Sequence, residues 1–525
     1  MEGEKFMGKK NENKVKKKFS QMAYGTSIII LLLMVLQIGI VAYGLTILRE
    51  DVVYLYGVFT VMGVVAVVYI INESKTPEYR MSWMLLILVF PFVGTVFYIY
   101  GKLGWERKTL GKKLRKLQMV TSEYMEQDTE IISYMKSGRA ANTKLSHYLF
   151  QEFALPTYSN TSLEYYPSGE AKFEALLQEL QRAKKFIFME YFIVEEGVMW
   201  NSILDILEQK VQEGVEVRFM YDGMCSIAQL PYDYPHQMKA KGIRCKIFNP
   251  LSPILSTVQN SRDHRKICVI DGDVGFTGGV NLADEYINEK ERFGHWKDTA
   301  IQLQGDAVQS LTIMFLQMWN VTERQPEHYE RYLTEQTLGF DRKTGYVIPY
   351  ADNPYDQEAV GAEVYLHILN HARNYVHIMT PYLILDYDMM RTLKRVSKGG
   401  VEVIIIMPHI PDKKYAFDLA KTYYKELIQA GVKIYEYTPG FMHAKVFVSD
   451  DDTATVGTIN LDYRSLYLHF ECGVFVYHNQ VVHQIEADFQ QTLRQCHKVT
   501  LTEVQNRSLY SKLCGHLLRL IAPLM

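Results

Sequence analysis

One residue frame occurs twice and sets what this chain can fold into. His264, Lys266, Asp271, Gly278 and Asn281 return as His443, Lys445, Asp450, Gly457 and Asn460, 179 residues later and with identical internal spacing. Chance could supply one such frame in 525 residues. Two copies mark a duplicated half. The runs Lys-Ile-Cys-Val-Ile-Asp and Lys-Val-Phe-Val-Ser-Asp are rich in β-branched residues and end in turn residues, so each reads as a short buried strand. Residues two apart in a strand share a face, which points His264 with Lys266 and His443 with Lys445. Asp271-Gly-Asp and Asp450-Asp-Asp read as hairpin turns, with return strands at 274–277 and 453–456. The Gly-rich steps to Asn281 and Asn460 let the backbone approach one pocket closely.

Two imidazoles, two ammonium groups and two carboxamides converging on one point suit phosphodiester chemistry. One His can attack phosphorus and the other can protonate the leaving oxygen. Lys266, Lys445, Asn281 and Asn460 can hold the non-bridging oxygens as charge moves. These fixed cations can do a divalent ion's work, so the expected metal set is empty and no cofactor is expected. No zinc or iron–sulfur spacing and no Gly-rich nucleotide loop is present.

The doubled His-x-Lys-x4-Asp-x6-Gly-x-x-Asn frame resembles the phospholipase D superfamily. Within it, Phe186-Ile-Phe-Met-Glu-Tyr-Phe, Asn260-Ser-Arg-Asp-His-Arg-Lys, Gly294-His-Trp-Lys-Asp, Thr380-Pro-Tyr and Gly440-Phe-Met-His-Ala-Lys are similar to the bacterial cardiolipin synthases, over about residues 70 to 525. The resemblance implies an α/β fold of two duplicated sandwich halves with pseudo-twofold symmetry, preceded by an α-helical membrane anchor. It implies a catalytic set of His264, Lys266, Asp271, His443, Lys445 and Asp450, with His264 as nucleophile and His443 as general acid, then base. It implies transfer of a phosphatidyl group from one phosphatidylglycerol to another, giving cardiolipin and glycerol. The expected partners are membrane phospholipids and not nucleic acid. Hydrolysis by water, or transfer to another alcohol, is the runner-up. A non-catalytic membrane scaffold has no use for two complete sites.

Net charge is −2, which hides an asymmetry. Residues 1–20 carry seven lysines against three glutamates, and residues 102–116 carry seven Lys or Arg against one Glu. Both runs flank apolar segments, which places them at a membrane surface. Tyr24 to Leu48 and Val52 to Ile71 are uncharged and long enough to span a bilayer. With the Lys-rich end inside, the pair returns to the cytoplasm, giving a multi-pass cell-membrane protein with its catalytic part on the cytoplasmic side. Met81 to Tyr100 is apolar with basic flanks on both sides, and Pro91 and Gly94 interrupt it. It reads as a broken, partly inserted hairpin or as a true third span. The expected organisation is an anchor at 1–118, a connector at 119–145, halves at 146–340 and 341–500, and an amphipathic helix at 501–525.

In the halves, strands and helices alternate: helix 169–183, strand 185–194, helix 200–213 and strand 215–221, matched by helix 363–374, strand 376–379, helix 389–397, strand 401–407, helix 415–430 and strand 433–437. Glu190, Tyr191, Thr380, Pro381, Tyr382 and Asp222 lie where strand ends face the pocket, and either cap strands or touch a headgroup. Cys225, Cys245, Cys268, Cys472, Cys496 and Cys514 show no paired spacing and read as free thiols. Leu509, Leu513, Leu517, Leu520 and Leu524 share one helical face, either docked on the core or lying on a membrane surface.

A nucleophilic imidazole needs a partner on its other nitrogen. Lys266 to Asp271 is about 16 Å of extended chain, so Asp271 and Asp450 read as turn-tying residues. Asp298 and Glu471, at matching places in the two repeats, read as histidine-orienting acids. The expected pairs lie within each repeat, Asp298 with His264 and Glu471 with His443.

Overall fold

The computed structural model describes residue 39 and residues 51–524, apart from 74–75, 104, 137–139, 227–228, 232, 251–259, 324–326, 334–344 and 357. Two compact units result. The apolar run expected at 24–48 lies outside the described residues except for Gly39.

The first unit is helical. Asp51–Ile71 is one helix, and Pro77–Val89 and Pro91–Leu103 are two more. The expected break falls at Phe90, whose φ of −128° leaves the helical region, and Pro91 opens the next helix. Gly94 lets the two helices close on each other, because a Cβ there would come 2.8 Å from the Ile87 backbone. Ala66, Ile70, Ile87 and Tyr98 form the unit's small core. Glu73 accepts a hydrogen bond from the Tyr98 hydroxyl at 2.8 Å and pairs with Lys102. Val58, Val61, Val65 and Val68 point outward, each more than half exposed. Among the described residues no helix is long and apolar enough to cross a membrane.

The second unit carries both repeats. The first holds β1 Thr161–Tyr166, β2 Phe186–Tyr191, β3 Glu216–Asp222, β4 Arg244–Phe248, β5 Ile267–Ile270, β6 Val274–Gly278, β7 His295–Lys297 and β8 Ala300–Gly305. The second holds β9 Tyr346–Asp352, β10 Tyr375–Met379, β11 Glu402–Pro408, β12 Lys433–Tyr437, β13 Gly440–Met442, β14 Val446–Ser449, β15 Thr453–Gly457, β16 Glu471–Tyr477 and β17 Cys496–Lys498. One sheet runs β1-β8-β6-β5-β2-β3-β4. The other runs β9-β16-β15-β14-β10-β11-β12-β17. Removing β17 leaves identical strand orders, which is the duplication in three dimensions. Strands β2, β3, β5 and β6 are buried along their whole length except at Glu216, so their apolar runs carry no alternation.

Helices cover the sheets. Val308–Asn320 is buried on all sides but Gln317 and lies against β2, β5, β6, β8 and β9. Val481–Leu493 lies against the second sheet and also against β1. Each repeat therefore contributes a helix that touches a strand of the other. The halves also meet at a small parallel ribbon, β7 with β13, registered His295 to Gly440, Trp296 to Phe441 and Lys297 to Met442.

Two local readings change. The motif strands begin at Ile267 and Val446, so the histidines and lysines precede them on extended chain. The C-terminal helix, Leu509–Ile521, docks by its polar side; Leu509, Leu513, Leu517 and Leu520 face outward, and Leu524 lies beyond it, half-buried. Cys245, Cys268, Cys472, Cys496 and Cys514 are free thiols.

Candidate active site

Each motif hairpin is fixed at its far end by its Asp. Asp271 turns the chain with φ of 55°, and its carboxylate accepts the backbone N–H groups of Lys184 and Lys185 at 2.7 Å and of Phe186 at 2.9 Å. Asp450 has the same φ and accepts from Arg373 and Asn374 at 2.8 Å and Tyr375 at 3.1 Å. Both acids tie the hairpin turn to the start of the preceding strand. Neither reaches the pocket, so their place in the catalytic set is as scaffold.

At the near end the two histidines are almost wholly buried. His264 Nδ1 lies 2.9 Å from both carboxylate oxygens of Glu471. His443 Nδ1 lies 2.6 Å from Asp298 Oδ2. The acids are the expected ones, but the pairing is exchanged: each histidine is held by the acid of the other repeat. Register explains it. Met442 pairs with Lys297, and the His443 N–H donates to the Lys297 carbonyl at 2.7 Å, so the next residue, Asp298, falls beside His443. Asp263 bridges Phe470 in the same parallel sense, and the His264 N–H donates to the Phe470 carbonyl at 2.9 Å, which sets Glu471 beside His264. A reading within one repeat has no access to this ribbon. The site is single and needs both halves.

Close backbone approach matters here at Gly279. A Cβ at that position would meet Asp298 Oδ1 at 2.0 Å. The matching residue of the second repeat is Thr458, whose hydroxyl donates to Glu471. Glu471 is therefore held by a side chain, and Asp298 by the Thr299 N–H at 2.8 Å.

Burial dominates the electrostatics. It pushes His264 well below the usual imidazole range, helped by the positive charge of Lys266, and His443 down to about 4 despite Asp298. It raises Glu471 well above the carboxylate range against the pull of Lys266. Burial thus opposes charge on both members of the His264–Glu471 pair. Burial also lowers Lys266 to about 8 and Lys445 to about 7. Each ammonium donates to the carbonyl of its own motif histidine, Lys266 to His264 at 2.5 Å and Lys445 to His443. An anionic phosphodiester would favour the charged form of every one of these bases.

The two carboxamides differ. Asn281 accepts the Ile193 N–H at 3.0 Å and donates to the Tyr286 hydroxyl at 2.8 Å, leaving one N–H for a ligand. Asn460 Oδ1 is buried without a partner. The difference extends outward. His443 is walled by Trp296, Tyr286 and Phe441, with ring centroids 5.3, 5.4 and 5.6 Å away. Beside His264 stand Phe192 at 4.8 Å and His469 at 5.8 Å. His469 is buried with neither ring nitrogen bonded. Sequence reasoning passed it over. The signal was available: His469 precedes Glu471 by two, as Trp296 precedes Asp298. His264, His469 and Glu471 offer ligand atoms within 4.8 Å of one another, the one group among the described residues able to approach a metal ion.

The flanking candidates bond within the protein. Tyr191 accepts from Lys172 at 3.2 Å. Glu190 lies 2.8 Å from Arg265 Nε. Asp222 accepts the N–H groups of Met224 at 2.8 Å and Asp263 at 3.1 Å. Thr380 donates to the Tyr382 carbonyl at 2.9 Å, and Tyr382 to Asp412 at 2.6 Å.

This arrangement can attack a phosphodiester with one imidazole while the other supplies a proton. The comparisons agree with that chemistry. The family model described as "Cardiolipin synthase, PLD-like domain" matches residues 176–319 and 365–493, and "Phospholipase_D-nuclease N-terminal" matches residues 61–100. An uncharacterized protein of Streptococcus mutans is 50% identical, covering 88% of this chain and 99% of its own. The cardiolipin synthase of Alkalihalophilus pseudofirmus is 32% identical, covering 89% and 93%. In fold, the chain resembles the phosphatidylserine synthase of Haemophilus influenzae, with a TM-score of 0.57 at 16% identity, over 73% of this chain and 98% of that one. With both family segments present in one shared site, the chain belongs to the cardiolipin synthase family of PLD-like proteins.

Proposed function

We propose that this chain is a phosphatidyltransferase that joins two phosphatidylglycerols into cardiolipin and releases glycerol. The observation that carries the reading is the crossed pair of buried His–carboxylate dyads, with Lys266 and Lys445 buried beside the histidines. His264 Nε2 attacks phosphorus, and the bond to the headgroup glycerol oxygen breaks. His443 gives that oxygen its proton, and glycerol leaves. The terminal hydroxyl of a second phosphatidylglycerol then gives its proton to His443 and attacks the phosphatidyl-His264 phosphorus, which releases His264. Glu471 and Asp298 hold the Nδ1 sides, so each ring presents Nε2 to the reaction. Lys266, Lys445, Asn281 and Asn460 hold the non-bridging oxygens. Substrate charge loads His443 with the proton that burial otherwise denies it.

Membrane embedding belongs to the same proposal. Its support is the outward apolar residues of Asp51–Ile71, the uncharged runs beside basic clusters, and insoluble substrates that a tethered site would meet at high local concentration. The basic flanks support a catalytic part on the cytoplasmic side.

The test is purified protein in phosphatidylglycerol vesicles, with lipid products separated. Cardiolipin and free glycerol in equal amounts support the proposal. Phosphatidic acid as the main product would make the enzyme a hydrolase.

A further inference from the structure

The helix Leu509–Ile521 has its faces reversed relative to an ordinary docked helix. Its polar side meets protein. Ser511 and Arg507 both donate to the Asp418 carboxylate, Arg507 at 3.1 Å. The Arg519 guanidinium lies 4.4 Å over the Tyr423 ring. Gly515 sits so close to the Lys414–Gln429 helix that a Cβ would come 2.6 Å from the Asp418 carbonyl oxygen. Its apolar side meets nothing: Leu509, Leu513, Leu517 and Leu520 are 83, 61, 55 and 50% exposed. Spaced every three or four residues, they form one stripe.

Charge decides what covers the stripe. The helix carries Lys512 and Arg519 and no acid. Arg519 is engaged on the docked side with Tyr423 and Glu426, which leaves Lys512 at the edge of the stripe; a second copy would set Lys512 against Lys512, whereas anionic phosphate headgroups complement it. From Leu520 on the chain belongs to the helical unit, in which Ala522–Leu524 packs on the helix Pro77–Val89 and Ser82 donates to the Leu520 carbonyl at 2.7 Å. We propose that the leucine stripe of this helix lies at the headgroup–acyl boundary of an anionic phospholipid bilayer. The proposal rests on the lipid-substrate reading above and gives that reading a surface: the catalytic unit itself would grip the bilayer, beyond any span that tethers it.

The experiment uses the full chain with its six cysteines replaced, one cysteine at position 513 by Leu513→Cys, and an environment-sensitive NBD label there. In vesicles of phosphatidylcholine with one-third phosphatidylglycerol, the label should shift to the blue and be quenched by lipids carrying a shallow nitroxide. A label introduced by Glu503→Cys should be unaffected. Water-like, unquenched emission at position 513 in vesicle-bound protein would overturn the proposal, as would a blue shift that needs only high protein concentration in detergent. A second measurement uses the triple substitution Leu509→Gln, Leu513→Gln and Leu517→Gln, which exposes no core. The KM for vesicle phosphatidylglycerol should rise at least fivefold, with turnover of a soluble short-chain phosphatidylglycerol unchanged. An equal KM on vesicles would also overturn it. The quenching readout needs no turnover, so a failed transferase assay and a failed membrane face remain separate results.

Discussion

Replacing Asp271 by Asn separates scaffold from catalysis at the motif acid. The carboxylate holds three backbone N–H groups, of Lys184, Lys185 and Phe186, at 2.7–2.9 Å. A carboxamide keeps one accepting oxygen and turns an NH2 group toward the other donors. One to two charge-assisted bonds are lost, each worth about 1.5–3 kcal/mol in general and less at a half-exposed turn. A loss of about 2–3 kcal/mol is expected, which lowers Tm by roughly 2–4 °C in a unit of this size. Because Asp271 lies at the far end of β5 from His264, kcat per folded molecule should stay within about twofold. The assay pairs thermal unfolding in detergent with cardiolipin formation well below the transition. The same behaviour is expected of Asp450→Asn. A variant with unchanged Tm and a hundredfold loss of kcat would refute the reasoning and put Asp271 in the chemistry.

Three further outcomes follow from the geometry. Glu471→Gln should slow formation of the phosphatidyl adduct on His264, and Asp298→Asn should slow glycerol release through His443, each by a factor on the order of 10² or more with the fold intact; near-normal rates in rapid-quench assays of both would reject the crossed dyads. Gly279→Ala should cut kcat at least tenfold, because its Cβ displaces Asp298 from His443, and activity equal to wild type would show that the pocket yields there. Lys445 at about 7 and Lys266 at about 8 should make kcat/KM fall as pH rises through 7–8, because neutral amines bind phosphate poorly. Folding stability should move the other way: between these values and the usual 10.5 the unfolded chain binds more protons, so stability rises with pH over that window. Parallel pH profiles of rate and Tm would contradict the assignment.

The sequence made the duplication legible because spacing is one-dimensional. The hairpin turns, the layered halves and the structural role of Asp271 and Asp450 follow from local periodicity and reach. The break before Pro91 follows from proline's missing N–H. The exchanged acid pairs did not, because the β7–β13 register joins residues 145 positions apart along the chain and its twin joins residues 207 apart. His469 was hidden for a similar reason: it stands in no motif, and its meaning comes from the ring it faces and the partners it lacks. The orientation of Leu509–Ile521 needed the Asp418 contacts, since an amphipathic pattern states that two faces differ and not which one meets the protein.

A phosphatidyl group passes through one shared site on His264. That passage is tested most directly by rapid quench with phosphatidylglycerol labelled at phosphorus, followed by peptide mapping of the labelled protein. One acid-labile label per chain is expected, on His264, forming slowly in His443→Asn and absent in His264→Asn. A label on His443 would reverse the roles. Cardiolipin formation retained in both histidine variants, with no label on either, would contradict the account.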